Sequence, residues 1–136
     1  VKQAEAREQA LDALYAADAR GLEEIDVTAI SNRAADLAQG TWSNKDAIDQ
    51  AITLASTSWR IERMPAVDRN ILRLGVFELR YSDLSKAIVI SQAVELAKKF
   101  STAKSGSFVN GVLSAVAERG TEPASDDDAT TVDNLD

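Results

Sequence analysis

The chain has 136 residues, 45% of them hydrophobic and 27% charged, with two prolines, six glycines, no cysteine and no histidine. At this length one soluble core buries roughly two thirds of the unfolded surface without a staple, and the missing Cys and His exclude zinc sites, redox pairs, thiol nucleophiles, Ser-His-Asp triads and imidazole acid-base chemistry. The formal net charge is -7, yet six acids and no base follow Gly120, and the remainder divides into five basic and ten acidic groups over residues 1–52 against ten basic and six acidic over 53–120. That asymmetry permits a basic face able to meet phosphate on an acidic protein.

No run approaches the roughly 18 apolar residues of a membrane span, and no signal segment is evident, so a cytoplasmic location is the default and no membrane partner is expected. The first residue is Val1 rather than Met, which leaves open that residues precede it.

In chain order, Leu11, Leu14 and Tyr15 fall at i, i+3 and i+4 among alanines, predicting a helix over residues 4–20 that Gly21 stops. Asp26 or Thr28 is expected to cap a second helix carrying Ile30, Ala34, Leu37 and Ala38 and ending near Gly40. Ser43 offers the cap of a third, in which Ile48, Ala51, Ile52 and Ala55 lead towards Trp59. Pro65 resets the chain for a helix over residues 66–80, apolar around most of its circumference and therefore expected to be central.

Ala87-Ile88-Val89-Ile90-Ser91 alone resembles a buried strand, but Ile90, Ala93, Val94, Ala97 and Phe100 continue at helical spacing. Phe108, Val109, Val112, Leu113 and Val116 give a last helix capped by Ser105 or Ser107, with Asn110-Gly111 inside it as a competing hairpin signal. The expected fold is all-α, a compact bundle of about six to seven helices over residues 1–120. Residues 121–136, with six acids and few apolar groups, form an acidic tail expected to be disordered and to be a true end. Asp126-Asp127-Asp128 lacks the spaced ligands, turn glycine and distal Glu of a calcium loop, so neither metal nor cofactor is expected.

The run from Trp59 to Arg73, Trp-Arg-Ile-Glu-Arg-Met-Pro-Ala-Val-Asp-Arg-Asn-Ile-Leu-Arg, resembles the NusB family of bacterial transcription antitermination factors. Phe77-Glu78-Leu79, the block Val89 to Phe100 and Phe108-Val109-Asn110-Gly111-Val112-Leu113 are similar to the family's later blocks, in order, and Ala6 to Asp18 is similar to its first helix. The resemblance spans about residues 4–117. It implies two small helical sub-bundles, no enzymatic activity, and a factor that pairs with NusE, a small-subunit ribosomal protein, to bind single-stranded boxA RNA and carry transcription elongation complexes through ribosomal RNA operons. It also places Asn110-Gly111 in a helix, where Gly111 would let another helix approach.

On the same analogy the RNA-contacting residues are Lys2, Arg7, Tyr15, Lys98, Lys99, Lys104 and Phe108, and the NusE-contacting residues are Asp18, Arg73, Glu78 and Tyr81. Several have a plainer alternative, and Arg7 suits a simple surface charge equally well. Tyr15 and Phe108 suit core packing, the Lys98-Lys99 pair suits a helix dipole, and the dense arginines Arg60, Arg63, Arg69, Arg73 and Arg80 suit ion pairs with Asp68 or Glu78. Trp42 and Trp59 are expected to pack. Family members usually open on an arginine-rich stretch, and here Lys2 and Arg7 stand beside Glu5 and Glu8. Either basic residues precede Val1, or RNA affinity depends heavily on NusE.

Two other classes stay open. One is the NusB-like N-terminal module of a ribosomal RNA cytosine methyltransferase, although this chain holds no glycine-rich cofactor loop and no cysteine. The other is a protein scaffold that forms a homodimer through the RNA surface.

Overall fold

The structure is a computed structural model that describes residues 2–119; the expected acidic tail lies outside the described residues. Six α-helices follow one another: α1 (Gln3–Arg20), α2 (Asn32–Ser43), α3 (Lys45–Ala55), α4 (Ala66–Tyr81), α5 (Lys86–Phe100) and α6 (Ala103–Glu118), with one 3-10 turn at Ile61–Arg63. No strand occurs among the described residues. None of the described helices is long and apolar enough to cross a membrane.

Helix α4 is the shared wall of the bundle. It packs on each of the other five helices, and every residue from Asn70 to Val76 is buried, as its all-round apolar pattern requires. Helices α1 and α2 pair on one side of it, α5 and α6 on the other, and α3 closes against α4 and α6. One continuous core joins Leu14, Leu37, Ile52, Ile71, Leu72, Val89, Val109 and Leu113. Gly75 lets α4 and α6 approach: a Cβ there would lie 2.7 Å from Leu113 Cδ1. Gly111 does not serve that purpose, because it is exposed and a Cβ on it would meet nothing within 4 Å.

Several boundaries differ from the sequence expectation, each for a local reason. Asp26 does not cap α2; its Oδ1 accepts from Thr28 N at 2.9 Å and Thr28 Oγ1 at 2.7 Å, closing a separate turn. The cap is Ser31, whose Oγ accepts from Ala34 N at 3.2 Å while its own N donates to Gln9 Oε1 at 3.0 Å, so α1 fixes where α2 starts. Gly40 does not end α2, since its missing Cβ makes room for the Phe77 ring. Ser43 is the last residue of α2 rather than the cap of α3.

Trp59 lies beyond the end of α3 and is exposed instead of packed inside. Ser85 caps α5 through Ile88 N at 3.2 Å, and the β-branched run is helical. Helix α6 starts earlier than expected: Thr102 is its cap, and Phe108 sits in the second turn rather than at the opening.

Candidate nucleic-acid interface

The arginines that looked available for phosphate are mostly spent on the fold. Arg7 is only 3% exposed; its Nε and Nη2 donate to the two carboxylate oxygens of Glu78 at 2.8 and 2.9 Å. Arg73 is equally committed, with Nε and Nη2 on the two oxygens of Asp49 at 2.7 and 2.9 Å and Nη1 on Asn70 Oδ1 at 3.0 Å. Arg69 Nε and Asn70 Nδ2 each donate to Asp18 Oδ2 at 2.9 Å, and Arg73 Nη1 stands 3.2 Å from the same oxygen. Burial alone would raise the Asp18 carboxyl, but the hydrogen bonds from Asn70 and Arg69 and the charges of Arg73 and Arg69 together hold it below the usual carboxylate value.

The internal-pair alternative is therefore right in kind and wrong in partner. Glu78 meets Arg7, Arg73 meets Asp49, and the two oxygens of Asp68 accept from Ser101 Oγ at 2.6 Å and Ser105 Oγ at 2.8 Å. Arg7, expected to be exposed, is buried, as are Arg73 and Glu78, and each makes at least two side-chain hydrogen bonds. Asp18 is partly buried and occupied. Tyr81 is 45% exposed, its ring 5.1 Å from that of Phe77 and its hydroxyl 3.3 Å from Asn44 Oδ1.

Lys98, Lys99 and Lys104 gather where α5 ends and α6 begins. An open groove of about 490 Å³ runs between the start of α1 and the second half of α5, floored by Arg7, Gln92 and Leu96 and edged by Glu8, Glu95, Lys98 and Lys99. Arg7 Nη1 reaches Gln92 Oε1 at 3.4 Å, so the groove floor is polar as well as rigid. Lys99 Nζ lies 2.7 Å from Glu8 Oε2 and 5.4 Å from the Phe100 ring centroid. The Lys98 stem rests on α6, 3.6 Å from the position a Cβ of Gly106 would take, and its ammonium stands 3.6 Å from Glu95.

Lys104 is exposed in the first turn of α6, and Phe108 one turn later is half-buried against the core. The Ser101, Ser105 and Thr102 hydroxyls around Asp68 tie the α5–α6 turn down, which fixes the positions from which Lys98 and Lys104 project. Lys2 is exposed just before α1, and Tyr15 is 44% exposed, contrary to core packing. Gln92 and Asp49 were not singled out as site residues from the sequence, and Glu8 was noted only as a charge beside Arg7. Asp49 stands four residues after Lys45, with which it makes a 3.9 Å pair. No cluster of three His, Cys, Asp or Glu able to hold a metal occurs among the described residues.

The NusB family model matches residues 4–118. The transcription antitermination protein NusB of Anaeromyxobacter dehalogenans strain 2CP-1 is 44% identical over 131 residues, covering 88% of this chain and 92% of its own, and that of Myxococcus xanthus is 42% identical over 127 residues, covering 82% and 91%. Among solved structures, NusB of T. maritima superposes with a TM-score of 0.73 at 31% identity, covering 87% of this chain and 92% of its own. A structure of the antitermination factors NusB and NusE in complex with double-stranded RNA contains a chain with a TM-score of 0.73 at 31% identity, covering 86% and 96%. Fold, sequence and coverage agree, and the chain belongs to the NusB family of non-enzymatic transcription antitermination factors.

Proposed function

We propose that this protein binds RNA together with NusE, that the RNA is single-stranded boxA in nascent transcripts, and that the assembly helps transcription elongation complexes read through ribosomal RNA operons. The observation that carries the reading is the membership of the chain in the family together with its likeness to the NusB chain of a NusB–NusE–RNA complex. The groove beside α5 supplies the chemistry. Lys98 and Lys99 offer charge to phosphate, Gln92 offers amide groups able to pair with a base edge, and Lys104 adds charge on the first turn of α6. Lys2 and the exposed Tyr15 belong to the same proposed surface. Arg7 enters it as the floor of the groove rather than as a free contact.

For NusE the exposed Tyr81 is the proposed contact. Asp18, Arg73 and Glu78 act behind it by holding α1 and α3 against α4. The test is binding of boxA RNA and a scrambled control, with and without purified NusE, at two salt concentrations. Sequence-dependent binding that NusE strengthens and salt weakens is expected. Equal binding of the two RNAs with NusE present would refute the boxA reading. A homodimer in place of the NusE complex, seen by sedimentation, would refute the partnership.

A further inference from the structure

Helices α5 and α6 run antiparallel. Lys98 lies over Gly106 near their turn, and at the other end Lys86 Nζ donates to Ala117 O at 3.4 Å. The hairpin therefore carries Lys98, Lys99 and Lys104 at its turn, while the chain leaves α6 at the opposite end, through Glu118 and Arg119. Residues 120–136 follow in the sequence, with six carboxylates at Glu122, Asp126, Asp127, Asp128, Asp133 and Asp136 and no lysine or arginine.

The lysines at the turn are open to exchange. Lys99 meets Glu8 at 2.7 Å and Lys98 meets Glu95 at 3.6 Å, both largely exposed contacts that another anion replaces at little cost. Lys104 is exposed and makes no ion pair among the described residues. Reach is sufficient as well. Lys104 lies about 21 Å back along α6 from Glu118, at 1.5 Å per helical residue, and the chain from Glu118 to Asp127 can span up to about 30 Å. Carboxylates tethered at this range meet the lysines at an effective concentration on the order of millimolar.

We infer that the acidic segment 120–136 is an intramolecular competitor for the lysines at the α5–α6 turn, with Asp126, Asp127 and Asp128 set against Lys98, Lys99 and Lys104 when no RNA is bound. Three adjacent carboxylates match three clustered ammonium groups much as a short run of phosphates does, and a polyanion gripped elsewhere as well displaces them. The penalty falls on every ligand of these lysines, so weak binding of arbitrary polyanions leaves the working concentration range first and the tight, NusE-assisted complex survives. The inference rests on the RNA reading above for the ligand displaced, and on charge and reach for the contact itself.

The test compares the full chain with the triple variant Asp126→Asn, Asp127→Asn, Asp128→Asn and with a charge-matched control, Glu23→Gln, Glu24→Gln, Asp46→Asn, which neutralises three exposed carboxylates elsewhere. Without RNA, the backbone amide resonances of residues 98–105 are expected to differ between wild type and the segment variant at low salt, to converge at high salt, and to stay in place in the control. With NusE, the segment variant is expected to bind boxA and scrambled RNA about two- to fivefold more tightly than wild type at low salt, the control remaining near wild type. Unchanged amides, or unchanged RNA affinity, in the segment variant overturn the inference and leave the RNA reading standing. Equal gains in affinity in the segment variant and the control overturn it in favour of overall net charge. No RNA binding by either wild type or the segment variant with NusE present overturns the RNA reading and the competition together.

Discussion

Arg7 and Glu78, 71 residues apart in sequence, meet through two bonds of 2.8 and 2.9 Å with both side chains almost sealed from solvent. The pair sets the rotation of α1 on the central helix and so fixes the floor of the groove beside α5. A buried ion pair gives more orientation than net stability, because its attraction is offset by the cost of removing both charges from water.

Removing one partner is therefore worse than removing both. Arg7→Met is expected to destabilise the protein by about 3 to 5 kcal/mol, while the double variant Arg7→Met with Glu78→Leu recovers most of that loss. Urea unfolding midpoints at constant slope measure it. A double variant no more stable than Arg7→Met would show that the pair contributes net stability.

Asp18 gives a pH signature. Its carboxyl is held below the ordinary carboxylate value of 3.8, so the folded state binds its proton more weakly than the unfolded chain does. The stabilisation is fully present above the unfolded value and is lost as pH falls through the lower folded value. The stability difference between wild type and Asp18→Asn should thus be largest near neutral pH and shrink on acidification below 3.8. A difference that stays constant down to about pH 2 would contradict the arrangement.

Much of the fold was legible because helical periodicity is a local property. The apolar stripes of α1, α4, α5 and α6 name their own helices, and the all-round pattern of α4 marks it as central. Caps were less legible because they depend on partners far away: Gln9 selects Ser31, and the space Phe77 needs keeps Gly40 inside α2. The site suffered in the same way. Arginine spacing along α4 suggests Asp68 or Glu78 as neighbours, whereas the actual acceptors of Arg69 and Arg73 come from α1 and α3. Charge alone does not distinguish an arginine used for packing from one kept for phosphate.

Two glycines in similar helical settings should respond oppositely. At Gly75 a Cβ would come within 2.7 Å of Leu113 Cδ1 inside the core, so Gly75→Ala is expected to cost about 1 to 3 kcal/mol. Gly111 is exposed in mid-helix with open space around it, and Gly111→Ala is expected to stabilise by about 0.5 to 1 kcal/mol. Thermal unfolding of the two variants checks both signs at once.

The Lys99–Glu8 pair offers the sharpest handle on RNA binding. Its 2.7 Å contact is largely exposed, and such pairs contribute only about 0 to 1 kcal/mol, so a phosphate entering the groove displaces Glu8 at little cost. Glu8→Gln removes the competing carboxylate without shortening the side chain, and is expected to raise RNA affinity with almost no change in unfolding midpoint. Lys99→Ala should lower affinity for boxA and scrambled RNA alike, and should reduce the slope of log affinity against log salt by about 0.7, the release expected for one single-strand phosphate. Lys98→Ala and Lys104→Ala are expected to do the same independently, because each projects from a different part of the tied α5–α6 turn. A slope unchanged in all three variants would remove phosphate from this end of the molecule, whatever the affinity did.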